Sequence, residues 1–110
     1  MAETFHSKAA LVTNSADTNL LTAGSGETFV IIHCQVANVD GTNTAWVSMD
    51  MVDDESSDVT AALAHQIDVP ADSAISPITG KLVLEAGDKI NIWGQAASDL
   101  EVTISYLKIT

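Results

Sequence analysis

The chain has 110 residues, 46% hydrophobic and 17% charged, with fifteen Asp and Glu against four Lys and no Arg, a formal net charge of -11. So acidic a surface repels phosphate backbones and anionic headgroups, which argues against nucleic acid and membrane surfaces as partners. The length sets a single domain, residues 1–110, with one core able to bury about 65% of the surface that the unfolded chain exposes.

Residues 1–8, Met-Ala-Glu-Thr-Phe-His-Ser-Lys, are polar and mixed, the composition of an N-terminal arm that is ordered only when something holds it down. They contain no apolar stretch of the signal-peptide kind, so the expectation is a chain made and kept in the cytosol. Ala9–Thr13 is a short apolar run. The turn cluster Asn14-Ser15-Ala16-Asp17 leads into a second strand over Thr18–Ala23.

Glu27–Val39 is the longest strand candidate. Strict alternation assigns Val30, Ile32, Cys34 and Val36 to the core face, and Phe29, Ile31, His33, Gln35 and Ala37 to the other. Asp40-Gly41-Thr42-Asn43 is a hairpin signal, so this strand is expected to pair directly with the next, Thr44–Asp54. There Val47, Met49 and Met51 face one way and Trp46, Ser48 and Asp50 the other. An acidic loop follows, Asp53-Asp54-Glu55-Ser56-Ser57-Asp58, and then a loop running into a strand from about Ala64.

Three corners share a cadence of apolar alternation broken by small or turn-forming residues: Leu20–Phe29 around Gly24 and Gly26, Ile67–Ile75 around Pro70, and Leu82–Ile92 around Glu85-Ala86-Gly87-Asp88. The last reads as strand, tight turn, strand. It aims Ile90 and Ile92 inward and Trp93 outward, with Gly94 at a bulge or a close backbone approach. Leu100–Ile109 ends the chain, and its change from Leu100, Val102, Ile104 and Tyr106 to Leu107 and Ile109 predicts a bulge near Tyr106 or a final strand segment covered on both sides. About eight short strands at this spacing predict an all-β fold, a single antiparallel β-sandwich of jelly-roll type.

Chemistry-bearing residues are few. Cys34 and His33 are neighbours on a strand and point to opposite faces, so they cannot form a nucleophile and base. His6, His33, His65 and Cys34 lack the spacing of a zinc site, and the acidic loop lacks the ligand order of a calcium loop. Ala23-Gly24-Ser25-Gly26 is not followed by the Lys-Ser/Thr pair of a phosphate loop. The expectation is therefore a non-enzyme with no cofactor and no metal. Trp46, Trp93 and Phe29 fall on faces opposite the inferred core, where large aromatics mark protein interfaces. A second buried face or a one-residue register slip would place them there equally. His33 and the loop acids Asp53 and Asp54 complete the candidate contact set.

The segments Gly80–Ile90 and Ala96–Ile109, with their Leu-Val-Leu-Glu-Ala-Gly-Asp corner and Val-Thr-Ile-Ser-Tyr-Leu strand, resemble the C-terminal half of small all-β virion proteins of tailed bacteriophages. The earlier corner at Gly24–Gly26, the long apolar strand and the Val-Ser-Met strand are similar too. The resemblance implies a virion structural subunit, made in the host cytoplasm. Its most specific reading is a capsid cement or decoration protein that binds the major capsid protein as a homotrimer. Neck, tail or fibre components, and a carbohydrate-binding module using the tryptophans, are the alternatives.

Overall fold

The computed structural model describes residues 2–54 and 59–110. Nine strands are found among them: β1 Glu3–Leu11, β2 Asn19–Thr22, β3 Thr28–Asn38, β4 Ala45–Asp53, β5 Val59–Val69, β6 Ala74–Ile75, β7 Leu82–Leu84, β8 Lys89–Gly94 and β9 Leu100–Ile109. They form two antiparallel sheets, one ordered β1-β9-β3-β6 with β7 also on β3, the other β2-β8-β4-β5. The all-β antiparallel sandwich expected from the pattern is what the chain forms. Between the sheets lies one apolar cluster whose largest fully buried side chains are Ile31, Met49, Leu84, Ile90, Leu100 and Ile104.

Strand positions follow the alternation, but strand partners do not. β3 and β4, expected to form a hairpin, lie in different sheets. The Asp40 carboxylate accepts hydrogen bonds from the Thr42 and Asn43 amides, and the buried Asn38 amide donates to the Asn43 and Val69 carbonyls. These bonds turn the chain across the sandwich instead of back along its own sheet. The three repeated corners do the same. β2 to β3, β5 to β6 and β7 to β8 each change sheet, so Leu82–Ile92 is a joint between layers and not a paired hairpin. Its Gly87 has φ +91°, a conformation L side chains rarely adopt. The buried Asp88 carboxylate locks the joint, accepting from the Glu85 amide and, across to the end of β4, from the Asp54 amide, each at 2.9 Å. Among described residues, β4 and β5 are the consecutive strands that pair. Their connection holds residues 55–58 of the acidic loop, which lie outside the described residues.

Two further expectations are corrected. Residues 3–8 are no free arm, because β1 pairs with β9 in unbroken register from Glu3 opposite Ile109 to Leu11 opposite Glu101. The bulge expected near Tyr106 sits across the ladder in β3, between Ile31 and His33, while β9 keeps its parity throughout. Ile32 is the extra residue, 45% exposed, and everything before it is turned over: Phe29 and Ile31 enter the core, and Val30 faces out. Strand β5 also begins earlier than expected, at Val59, and is kinked at Gln66, whose φ is +47°.

Candidate interaction surface

The residues singled out in the sequence do not converge. Phe29 is 4% exposed, its ring centroid 4.7 Å from that of Tyr106, so it is a core residue and not a contact residue. Trp46 and Trp93 do share the outer face of the four-stranded sheet. Trp46 pairs with Asp68, and Trp93 pairs with Ser48, two residues along β4 from Trp46. Both tryptophans are half-buried. His33 lies exposed on the outer face of the other sheet, and Asp53 and Asp54 end β4 beside the Gly87 joint.

Cys34 is fully buried and desolvation pushes its thiol up to about 11, which removes the thiolate that nucleophilic chemistry or disulfide exchange needs. Among described residues, no group of three or more His, Cys, Asp or Glu is arranged to hold a metal ion. The acids instead serve as local ties. Hydrogen bonds from Thr42 and Asn43 hold the Asp40 carboxyl below its ordinary range. The Glu27 carboxylate is likewise lowered, first by Lys108, 2.7 Å away, and then by the Gly24 amide, fastening the β2–β3 corner to β9.

The outer face of the four-stranded sheet is acidic. Asp50 lies opposite Asn91 and Ala62, two residues beyond Ser48, and Asp68 flanks Trp46. Partial burial, and then the charge of Asp17, raise the Asp50 carboxyl above its usual value, with His65 opposing. Like charges are already crowded on this face.

The outer face of the five-stranded sheet is different in kind, and sequence reasoning missed it. Paired residues share a face, so the register places Phe5, Leu107, Val30 and Val83 in one row across four strands. The next row is Ser7, Ser105 and His33, and the third Ala9, Thr103 and Gln35. Carboxylates appear only in the flanking rows, Glu3 at one end and Glu101 at the other. Phe5 is 79% exposed, Leu11 64% and Val83 47%. A shallow cavity of about 340 Å³ lies over the small side chains of the third row, lined by Ala9, Ala10, Leu11, Glu101, Val102 and Thr103. The sequence hides this row, because alternation alone points Val30 inward and residues 1–8 have the composition of an arm. The Ile32 bulge and the β1–β9 ladder each needed a partner strand far along the chain to be seen.

No protein-family model matches this chain, and no curated protein sequence does. A solved structure described by "Bacillus endospore appendages form a novel family of disulfide-linked pili" is similar to it over 99% of this chain and 87% of that one, with a TM-score of 0.55. At 14% sequence identity this likeness bears on the fold alone, an antiparallel β-sandwich shared with a pilus protein.

Proposed function

We propose that the chain is a non-enzymatic structural subunit of a tailed-phage particle, acting as a capsid cement protein that binds across major capsid subunits and stiffens the head. The observation that carries the structural role is the partly apolar outer face of the five-stranded sheet, whose carboxylates Glu3 and Glu101 lie only in its flanking rows, on a molecule of net charge -11. Exposed apolar rows of this extent, rimmed by polar residues, are characteristic of protein contact sites. The phage assignment is supported by the resemblance of Gly80–Ile90 and Ala96–Ile109 to virion proteins. The strand order supports the finer fold reading: with β6 and β7 counted as one interrupted strand, two four-stranded sheets wrap as two Greek keys, a jelly roll. The mechanism is geometric. A rigid sandwich spanning neighbouring shell subunits resists their separation under internal pressure by burying area at each contact.

Electron microscopy of particles with and without the protein tests this reading. Density at junctions of the head shell, and heads that rupture more easily when it is missing, are expected. Normal heads on tailless particles would move the subunit to the neck or tail.

A second reading, a subunit of a polymeric surface appendage, is favoured by the pilus-like neighbour. A polymer of this chain would differ from that neighbour in its links, because Cys34, its single cysteine, is sealed in the core.

A further inference from the structure

We propose that a second copy of this chain seats on the outer face of the five-stranded sheet, the two sheets packing face to face about a two-fold axis that runs along the row Ser7, Ser105, His33. This rests on the reading of the chain as an assembly subunit and adds the identity and geometry of one partner.

Three observations select this occupant. The first is shape. Phe5 is the most exposed large hydrophobic among the described residues, and the cavity over Ala9 and Thr103 lies on the same face. Ser7 is midway between Phe5 and Ala9 along β1. A two-fold axis over Ser7 therefore places Phe5 of each copy above the Ala9 cavity of the other, about 13 Å from where it starts at 3.3 Å per residue. The same axis sets Leu107 over the smaller Thr103 and Val30 over Gln35, at the roughly 10 Å spacing of packed sheets.

The second is charge. A body of net charge -11 repels its copies wherever carboxylates meet. The opposite outer face, with Asp50 and Asp68, sets acid against acid in any like-face pairing. On the five-stranded sheet the same axis sets Glu3 above Leu11 and Glu101 above Ile109, all at the rim, and no carboxylate falls opposite another.

The third is area. Strands β1, β9 and β3, nine to eleven residues long, cover about 30 Å by 10 Å in plan before side-chain relief is added, with the short β6 and β7 extending one edge. That is smaller than a standard specific interface, which buries about 800 Å² per partner, so the pairing is weak, reversible and follows concentration. An isologous contact closes with two copies, in place of the three expected from the resemblance.

Sedimentation equilibrium of the purified 110-residue chain across a micromolar to millimolar range tests the proposal. A monomer–dimer equilibrium is expected, tightened by added salt as repulsion between the acidic bodies is screened. Phe5→Asp and Ala9→Trp should each weaken the dimer at least tenfold, the first by charging the projecting group and the second by filling its cavity. Both positions are solvent-exposed, so the melting temperatures should stay at the wild-type value. Trp46→Ala, on the opposite sheet, should leave the dimer constant unchanged. A monomer at millimolar concentration, a trimer, or a dimer indifferent to both β1 variants overturns the pairing. A monomeric chain that is nonetheless found at head junctions overturns this inference and leaves the structural role standing.

Discussion

Replacing Gly87 with Ala should lower stability by about 2–3 kcal/mol. At φ +91° an L side chain meets its own backbone, which costs about 1–2 kcal/mol by itself. The added Cβ would also lie 2.6 Å from Asp54 Oδ2, 2.7 Å from its Cγ and 2.9 Å from its Cβ. Rotating the Asp54 side chain relieves the first two contacts but cannot move Cβ, and the Asp54 amide is held by the Asp88 carboxylate at 2.9 Å. The backbone at the end of β4 must therefore shift and weaken that bond, adding about 1 kcal/mol, the worth of a typical intramolecular hydrogen bond. For a domain of this size the sum corresponds to a fall in Tm of about 8–15 °C, measurable by calorimetry or far-ultraviolet circular dichroism. Gly87→Val, with a β-branched side chain in the same space, should be worse and leave little folded protein at 37 °C. Because both changes act through Asp54, Gly87→Ala and Asp88→Ala should be less than additive in combination. A Gly87→Ala variant melting within about 2 °C of wild type would refute the reasoning, since that is under half the shift expected from 1 kcal/mol.

Asp88→Ala strips two amides of their acceptor at a buried joint and should cost about 2–4 kcal/mol. Asp88→Asn, which keeps one acceptor oxygen, should cost less, and urea midpoints rank the two. Cys34 is an acid whose folded value, about 11, lies above its ordinary value of 9.0, so the native state holds a proton that the unfolded state gives up. Its contribution is complete below about pH 9 and falls as pH rises toward 11. Wild type should therefore lose up to roughly 3 kcal/mol relative to Cys34→Ala across that window, and a constant difference would contradict the burial argument. Trp93→Ala removes a half-buried ring on the acidic face; it should keep the fold, cost about 1–2 kcal/mol and leave self-association untouched, as melting and sedimentation of the same sample would show.

The periodicity of Thr28–Asn38, Ala45–Asp53 and Leu100–Ile109 was legible because each strand buries one face, and a period of two records that directly. Pairing was not. Asp40-Gly41 and Gly87-Asp88 announce that the chain turns, but a turn within a sheet and a turn between sheets use the same residues. The outcome here depends on long-range bonds, Asn38 to Val69 and Asp88 to Asp54, that no local window contains. The apolar row on the five-stranded sheet was hidden for a related reason. One inserted residue, Ile32, reverses the facing of Phe29, Val30 and Ile31, and alternation has no signature for an insertion until the partner strand is known. β1 was unreadable because its side chains are almost all exposed. Its order comes from main-chain bonds to β9 and from His6 stacking on Tyr106 at 5.4 Å, which composition does not encode.

The ladder between β1 and β9 also sets a timetable. Among the described residues β1 pairs with β9 alone, about 100 residues further along, so the five-stranded sheet cannot close until residue 109 has left the ribosome. Until then β3 lacks its principal neighbour as well, because its ten registered pairs with β9 wait on the same strand. The β4–β5 hairpin is free to form far earlier, which makes it the natural nucleus and the late sheet the slow step, as non-local pairings require. A nascent chain halted before Leu100 would carry Phe29 and Ile31 on a β3 that lacks β9, and that truncated species, more than the finished subunit, is where uncontrolled aggregation should begin.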